Sequence, residues 1–208
     1  MFIPQKFQLS DDQISGMLHD AALAYLITPS ESGTLVTPLP VTYNRERNRL
    51  VGHVSRANPH WRCASTEVES LAILPGIDGY ISPSLYATKS ESGEVVPTWN
   101  YEVVIAYGHL RIHDDPDWLG EQVAALTDRH EAQQEHPWSV DDAPEPFVER
   151  QLRGIVGVEL MITRWEGKAK MSQNQPAANR RSVIAGLAAS TNSRQRQIAE
   201  RIIAHGSE

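Results

Sequence analysis

The stretch from Tyr101 to His113 constrains the fold more than any other. Tyr101, Val103, Ile105, Tyr107 and His109 share one parity, and Val104, Ala106, Leu110 and Ile112 share the other. Apolar side chains therefore recur at period two on both faces, the signature of an extended chain rather than a helix. The run is about twice the usual strand length. Such a strand suits a curled sheet or barrel that also packs against a helix or a second subunit.

The neighbouring segments agree with an antiparallel sheet. Strands are expected at Ala21 to Thr28, Thr34 to Tyr43, Arg49 to Ser55 and Glu67 to Leu74, where Pro75-Gly76 ends the run. A short strand at Tyr80 to Ser82 stops at Pro83, and Val158 to Ile162 alternates as a half-buried strand. Pro38 and Pro40 point the same way and remove ladder donors, so one edge there is irregular. Helices are expected from Ser10 or Asp11 to Leu18, from Asn58-Pro59, from Pro116 after Asp114-Asp115, and at Ser182 to Ala189 and Arg194 to Ala204. Another starts between Asp142 and Pro146, buries Val148, Leu152, Ile155 and Val156, and ends at Gly157. Residues 84–97 read as an exposed loop. Strands come mostly first and helices later, which indicates an α+β domain around an antiparallel barrel-like sheet rather than βαβ units. Residues 1–190 are expected to form that domain and residues 191–208 a C-terminal helical extension.

Charge narrows the function. The 208 residues carry a formal net charge of −7, which argues against general nucleic-acid binding through phosphate neutralisation. The charge is uneven, however: residues 1–149 carry −13 and residues 150–208 carry +6. Cys63 is the single cysteine, so an intrachain disulfide is impossible and a Cys-based zinc site lacks ligands. His130-Glu131 with His136 has the wrong helical spacing for zinc, and His109 and His113 would lie ~13 Å apart on a strand; no metal is expected. No early stretch has signal-peptide character, and no apolar run approaches the ~20 residues of a membrane span. The cytoplasm is the expected compartment. G-x-S-x-G, Walker and G-x-G-x-x-G motifs are missing, as is a clear helix-turn-helix.

Three constellations could carry chemistry. In Gly52 to Trp61 a strand runs into an Asn-capped helix, with Arg56 two residues before the cap. Free N–H groups and a planar guanidinium fork suit a phosphate ester; the same corner also reads as an ordinary strand–helix turn with a solvated arginine. Tyr80 to Tyr86 and Val96 to Tyr101 gather hydroxyls, an amide and aromatic rings in short proline-pinned segments. They could bond and stack on a flat polar ring, or simply satisfy their own turns. In Gly167 to Asn174, Lys168 and Lys170 share a strand face, and Gln173 and Asn174 can each donate and accept, as a flavin edge requires. The alternative there is a solvated basic edge that discourages strand pairing.

In this order and spacing the three constellations resemble the PaiB family of FMN-binding negative transcriptional regulators. Met1 to Pro4, Trp138 to Val140 with Ala143-Pro144, and the Gly154 to Gly157 corner also fit the pattern. The resemblance implies an antiparallel split β-barrel, the FMN-binding split barrel related to pyridoxamine 5′-phosphate oxidases, with peripheral helices and a helical C-terminus. It implies a homodimer with FMN in the interface. Carried over by motif, Arg56, Ala57 and Asn58 would face the FMN phosphate or ribityl chain, with His53 at the head of the same run. Ser82, Ser84, Thr98 and Asn100 would line the pocket, and Lys168, Lys170, Gln173 and Asn174 would reach it, from either subunit. Leu85 and Ala169 stand where the family pattern has Trp, and Gln175 where it has Arg; these departures imply a roomier site or weaker flavin binding.

The family role is negative transcriptional regulation, with DNA contact resting on the +6 segment alone. One alternative is an FMN-dependent oxidoreductase acting on a small molecule, in which the flavin does the chemistry. Another is a haem-binding barrel with His53, His60 or His109 as axial ligand. No catalytic residue is named by the sequence.

Overall fold

A single residue closes the sheet. Strands β2 (Gly33–Pro40) and β3 (Thr42–Asn44) are separated only by Val41. Yet they occupy opposite ends of a seven-stranded sheet of order β2-β1-β5-β6-β7-β4-β3. The other strands are β1 (Leu23–Ser30), β4 (Arg49–Ser55), β5 (Ser70–Ile81), β6 (Thr98–His113) and β7 (Ile155–Lys170). In a flat sheet the two ends would lie ~29 Å apart at ~4.8 Å per strand. Two Cα steps of ~3.8 Å cannot span that gap, so the sheet must curl until its edges meet. The result is the antiparallel split barrel of the α+β class. This computed structural model describes residues 1–206 of the chain.

Two compact units share the long strands. The barrel unit comprises Ser15–Leu74 and Ile105–Trp165. It contains residues of all seven strands. Its core holds Leu26, Leu39, Leu50, Val54, Ala72, Leu74, Ala106, Leu110, Val156, Val158 and Leu160. Register is fixed by the β1–β2 hairpin, where Leu26 faces Thr37, and by β4 on β7, where Gly52 faces Val158. Pro38 and Pro40 lie on β2 at a sheet edge, where missing N–H donors disturb no inner ladder. Helix α3 (Pro116–Glu131) starts at Asp115, whose side chain accepts a hydrogen bond from Trp118 N at 2.9 Å. Helix α4 (Glu145–Leu152) follows.

The second unit comprises Met1–Ile14, Pro75–Val104 and the residues from Glu166 onward. Helix α5 (Ala177–Ala188) and helix α6 (Ser193–Ala204) pack on one another here. Asn192 caps α6 by accepting from Arg194 N at 2.9 Å. Val183 and Leu187 of α5 and Ile198 and Ile202 of α6 are buried. The expected extension 191–208 thus contains α6; its residues 207–208 lie outside the described residues. Helix α1 (Asp11–Asp20) opens with a reciprocal cap, Ser10 N to Gln13 Oε1 at 2.9 Å and Gln13 N to Ser10 Oγ at 3.3 Å.

Three local expectations are corrected. Helix α2 is one turn, His60–Cys63, with Pro59 at its N-cap rather than Asn58. Pro75-Gly76 does not end a strand: β5 runs through it. The β1 ladder covers only Leu71 to Ile73, so the donor missing at Pro75 is not needed on that side. Gly157 does not end α4. The break comes at Gly154, whose N–H bonds Gln151 O at 2.9 Å, and Ile155 and Val156 already belong to β7. The long strand expected at 101–113 starts three residues earlier, and its even-numbered positions from Asn100 to Leu110 are buried.

Candidate functional site

The expected site residues fall into two clusters, one in each unit. His53, Arg56, Ala57 and Asn58 lie in the barrel unit at and beyond the end of β4. The remaining eight lie in the second unit.

Arg56 is an internal staple. Its Nε donates to Arg153 O at 2.7 Å and Nη2 donates to Ile155 O at 2.9 Å. Nη1 donates to Asp114 Oδ2 at 3.0 Å and Nη2 to Asp114 Oδ1. This fork fixes the α4–β7 turn and the end of β6 against β4. The Asp114 hydrogen bond raises the Arg56 pKa further, and the Arg56 hydrogen bond holds Asp114 below the usual carboxylate range. Arg56 and Asp114 border a cavity of about 470 Å³ with Leu119, Glu149, Leu152 and Arg153. The sequence showed the arginine but gave no sign of Asp114, 58 residues away, as its partner.

Asn58 is engaged as well. Its Oδ1 accepts from His60 N at 2.9 Å and its Nδ2 donates to Thr37 Oγ1 at 3.3 Å. Thr37 Oγ1 meets His60 Nδ1 at 2.8 Å, and His60 is buried, which lowers its pKa. Such a ring is a structural strut rather than an accessible haem ligand. Ala57 is exposed. His53 points away from this corner, with Nδ1 2.8 Å from Gln122 Oε1 on α3.

The second cluster is built on the ends of β6 and β7. Lys170 Nζ donates to Thr98 Oγ1 at 2.5 Å. Lys168 Nζ donates to Phe2 O at 3.2 Å and sits 5.3 Å from the Tyr101 ring centre. Asn100 is fully buried and donates to Ser172 Oγ at 3.0 Å. Ser172 has φ +63°, a left-handed turn. Gln173 locks that turn, accepting from Met171 N at 2.6 Å and donating to Ala169 O at 2.8 Å. Asn100 and Gln173 are therefore the frame, whereas Lys170, Thr98 and the exposed Asn174 are the accessible polar groups. Ser82 caps the short turn Pro83–Leu85, and its Oγ lies 2.7 Å from Ser84 Oγ. Two of the departures from the family pattern are packed within this unit. Leu85 packs so closely on α5 that a Cβ at Gly186 would come within 2.6 Å of it, and Ala169 is buried.

The sequence singled out the aromatic segments of this unit, but two pairings in it were not visible there. Tyr80 and Trp99 form an exposed aromatic pair with ring centres 6.2 Å apart, on strands adjacent in the sheet. The buried Glu102 accepts hydrogen bonds from Arg201 and from His205 Nε2, the latter at 2.5 Å. Burial pushes the Glu102 carboxyl up, but the His205 and Arg201 hydrogen bonds outweigh it and hold the group below its usual range. Nothing local in the sequence identified partners for Glu102 on α6.

The donor set of the second unit fits a flavin mononucleotide chemically. Ammonium and hydroxyl groups can hold a phosphate and a ribityl chain, and exposed aromatic rings can cover a flat ring system. No helix among the described residues is long and apolar enough to cross a membrane.

Relatives bear on the same question. The chain is 28% identical over 203 residues to "Protease synthase and sporulation protein PAI 2" of Bacillus subtilis, covering 96% of this chain and 95% of that one. It is 31% identical over 225 residues to an uncharacterized protein of Aspergillus fumigatus, covering 89% and 86%. Its fold matches the structure of the FAD and haem binding protein from Mycobacterium smegmatis with TM-score 0.58 and 18% identity, over 79% of this chain and 73% of that one. Residues 1–164 match the family model described as "Putative FMN-binding domain", and the chain belongs to that family of FMN-binding split-barrel proteins.

Proposed function

We propose that this protein is a cytoplasmic FMN-binding homodimer of the PaiB type that lowers expression of target genes. The near full-length likeness to the Bacillus protein, whose name couples it to protease synthesis and sporulation, carries the regulatory part. The Lys170–Thr98 pair carries the placement of the cofactor. In this reading the FMN phosphate and ribityl chain meet Lys168, Lys170, Thr98, Ser82, Ser84 and Asn174. Asn100 and Gln173 hold the surrounding chain in place. FMN, when bound, supplies reversible electron acceptance; the protein supplies position, charge and exclusion of water.

The basic C-terminal segment needs no DNA to account for it. Arg194 pairs with Asp78 at 2.8 Å, Arg196 donates to Ser190 O at 2.8 Å, and Arg201 pairs with Glu102 at 2.7 Å. A regulatory effect through α6 on DNA is therefore the weaker route, and an effect exerted through a ligand or protein partner the stronger. The exposed Tyr80–Trp99 pair favours a second reading, an FMN-dependent oxidoreductase with a small substrate between ring and flavin.

The deciding experiment starts from the absorption spectrum of the purified protein and a titration with FMN. A flavin spectrum with saturable FMN binding, weakened about tenfold in Lys170→Ala, supports the placement; a Soret band without flavin overturns it. Turnover of NAD(P)H with added FMN selects the oxidoreductase. A salt-sensitive gel shift of promoter DNA selects direct regulation.

A further inference from the structure

The barrel unit contains a cavity that the flavin reading does not use. It has a volume of about 270 Å³ and lies between β4, α3, α4 and the segment before α4. Its walls are apolar, chiefly Val123, Trp138, Phe147, Val148 and Leu152. No charged residue lines it; the polar groups are His53 and Gln151. Trp138 and Phe147 are 47% and 45% exposed, so their rings stand at the mouth.

His53 is the imidazole in this wall, and its ring is oriented by a neighbour. His53 Nδ1 lies 2.8 Å from Gln122 Oε1. The Gln122 amide occupies Nδ1, so Nε2 is the ring nitrogen left for a ligand. Gln122 is itself 6% exposed on α3, so this contact is in place before any ligand arrives. An apolar pocket with one oriented imidazole nitrogen is complementary to a neutral molecule carrying one hydrogen-bonding group. The volume suits on the order of ten non-hydrogen atoms, which excludes a whole flavin nucleotide, and the lack of charge disfavours its phosphate.

We infer that this cavity is a binding site for a small neutral aromatic molecule of the phenol or indole class, oriented by a hydrogen bond to His53 Nε2. Gln122 acts as a positioning residue that holds the ring's orientation. The inference does not depend on where FMN sits. Trp138 and Phe147 would cover the ring face, which gives the exposed aromatics at the mouth a common role.

The test compares two probes of nearly the same shape, p-cresol and p-xylene, which differ by a hydroxyl in place of a methyl. Binding is followed by saturable shifts in the ¹H–¹⁵N spectrum of the full-length protein, including the Trp138 indole N–H. p-Cresol is expected to bind several-fold to about tenfold more tightly than p-xylene, the ratio one hydrogen bond supplies. His53→Phe should remove the preference for p-cresol, and Gln122→Leu should erode it. Val148→Trp should abolish binding of both; if that variant does not fold, Ala143→Leu narrows the same space. The inference is overturned if p-cresol shows no saturation up to roughly 10 mM, beyond the millimolar range of weak sites. Equal affinity of the two probes for the unmodified protein also overturns it, as does unchanged p-cresol binding in a folded cavity-filling variant.

Discussion

Replacing Glu102 by Gln tests how α6 is held. The carboxylate is 4% exposed and accepts from Arg201 Nε at 2.9 and 3.1 Å, from Arg201 Nη2 at 2.7 Å, and from His205 Nε2 at 2.5 Å. Glutamine keeps the shape and one acceptor oxygen but removes the charge. A hydrogen bond to a charged group is worth about 1.5–3 kcal/mol. The Arg201 side chain is 41% exposed, so solvent screening reduces its share to about 1 kcal/mol or less. The His205 side chain is 6% exposed and its contact keeps most of its strength. The expected loss is about 2–3 kcal/mol, which for a chain of this length lowers Tm by roughly 4–12 °C. The pH dependence follows from the direction of the Glu102 shift. Its pKa is lower folded than unfolded, so its contribution is complete above the unfolded value of about 4.3 and fades as the pH falls through the lower folded value. Glu102→Gln should therefore be destabilised at pH 7 and should lose part of the wild-type decline in stability below about pH 4.3. Thermal and urea unfolding at both pH values, with amide exchange over Ile198 to Ile202, measure this. A Tm within about 1 °C of wild type at pH 7, with unchanged exchange in α6, would refute the reasoning, since the loss expected above is several degrees.

Other substitutions examine other contacts. Gly157→Ala places a methyl about 2.1 Å from the Trp118 ring, which is stacked on His113 at 4.0 Å, so overpacking of about 1–3 kcal/mol and a changed near-ultraviolet circular dichroism spectrum are expected. An unaltered spectrum would show that the ring moves freely. Gly108→Ala meets the Met161 carbonyl at 1.9 Å, a backbone atom with no rotamer to yield, and should be the more damaging of the two by urea midpoint. Arg56→Ala and Asp114→Ala should be non-additive in a double-mutant cycle of stability, because each removes the same fork; additive losses would separate them. Ser172→Ala leaves the buried Asn100 amide without its partner and should cost about 1–3 kcal/mol, which Asn100→Leu in the same background should partly restore.

The sequence exposed this fold wherever one residue's chemistry decided the local outcome. The period-two runs located β6 and the middle of β7, and Asp114-Asp115 marked the start of α3. It misled where a distant partner decided. Pro75 reads as a stop, but its strand is unpaired with β1 at that point. Gly157 reads as a helix end, but it is the notch that admits Trp118. At the candidate site, residue types were visible and their partners were not. Arg56 has the features of a phosphate ligand until Asp114 and two carbonyls from the α4–β7 turn are placed around it. Gln122 is buried on α3, and only the fold shows that it holds His53.

The pairing of β4 with β7 sets an order on biosynthesis. Arg49 faces Met161 and Ser55 faces Ile155, so partners are separated by about a hundred residues of chain. While the protein is being made, β1 and β2 can form their hairpin at once. The β7-facing edge of β4 stays unmatched until residues 155–161 have been added, more than two-thirds of the way along the chain. During that interval the nascent chain carries a bare strand edge next to apolar Leu50 and Val54, the kind of surface that recruits a chaperone or a neighbouring nascent copy. Slow late translation, or truncation before β7, should therefore send this protein toward aggregates rather than toward a smaller folded barrel.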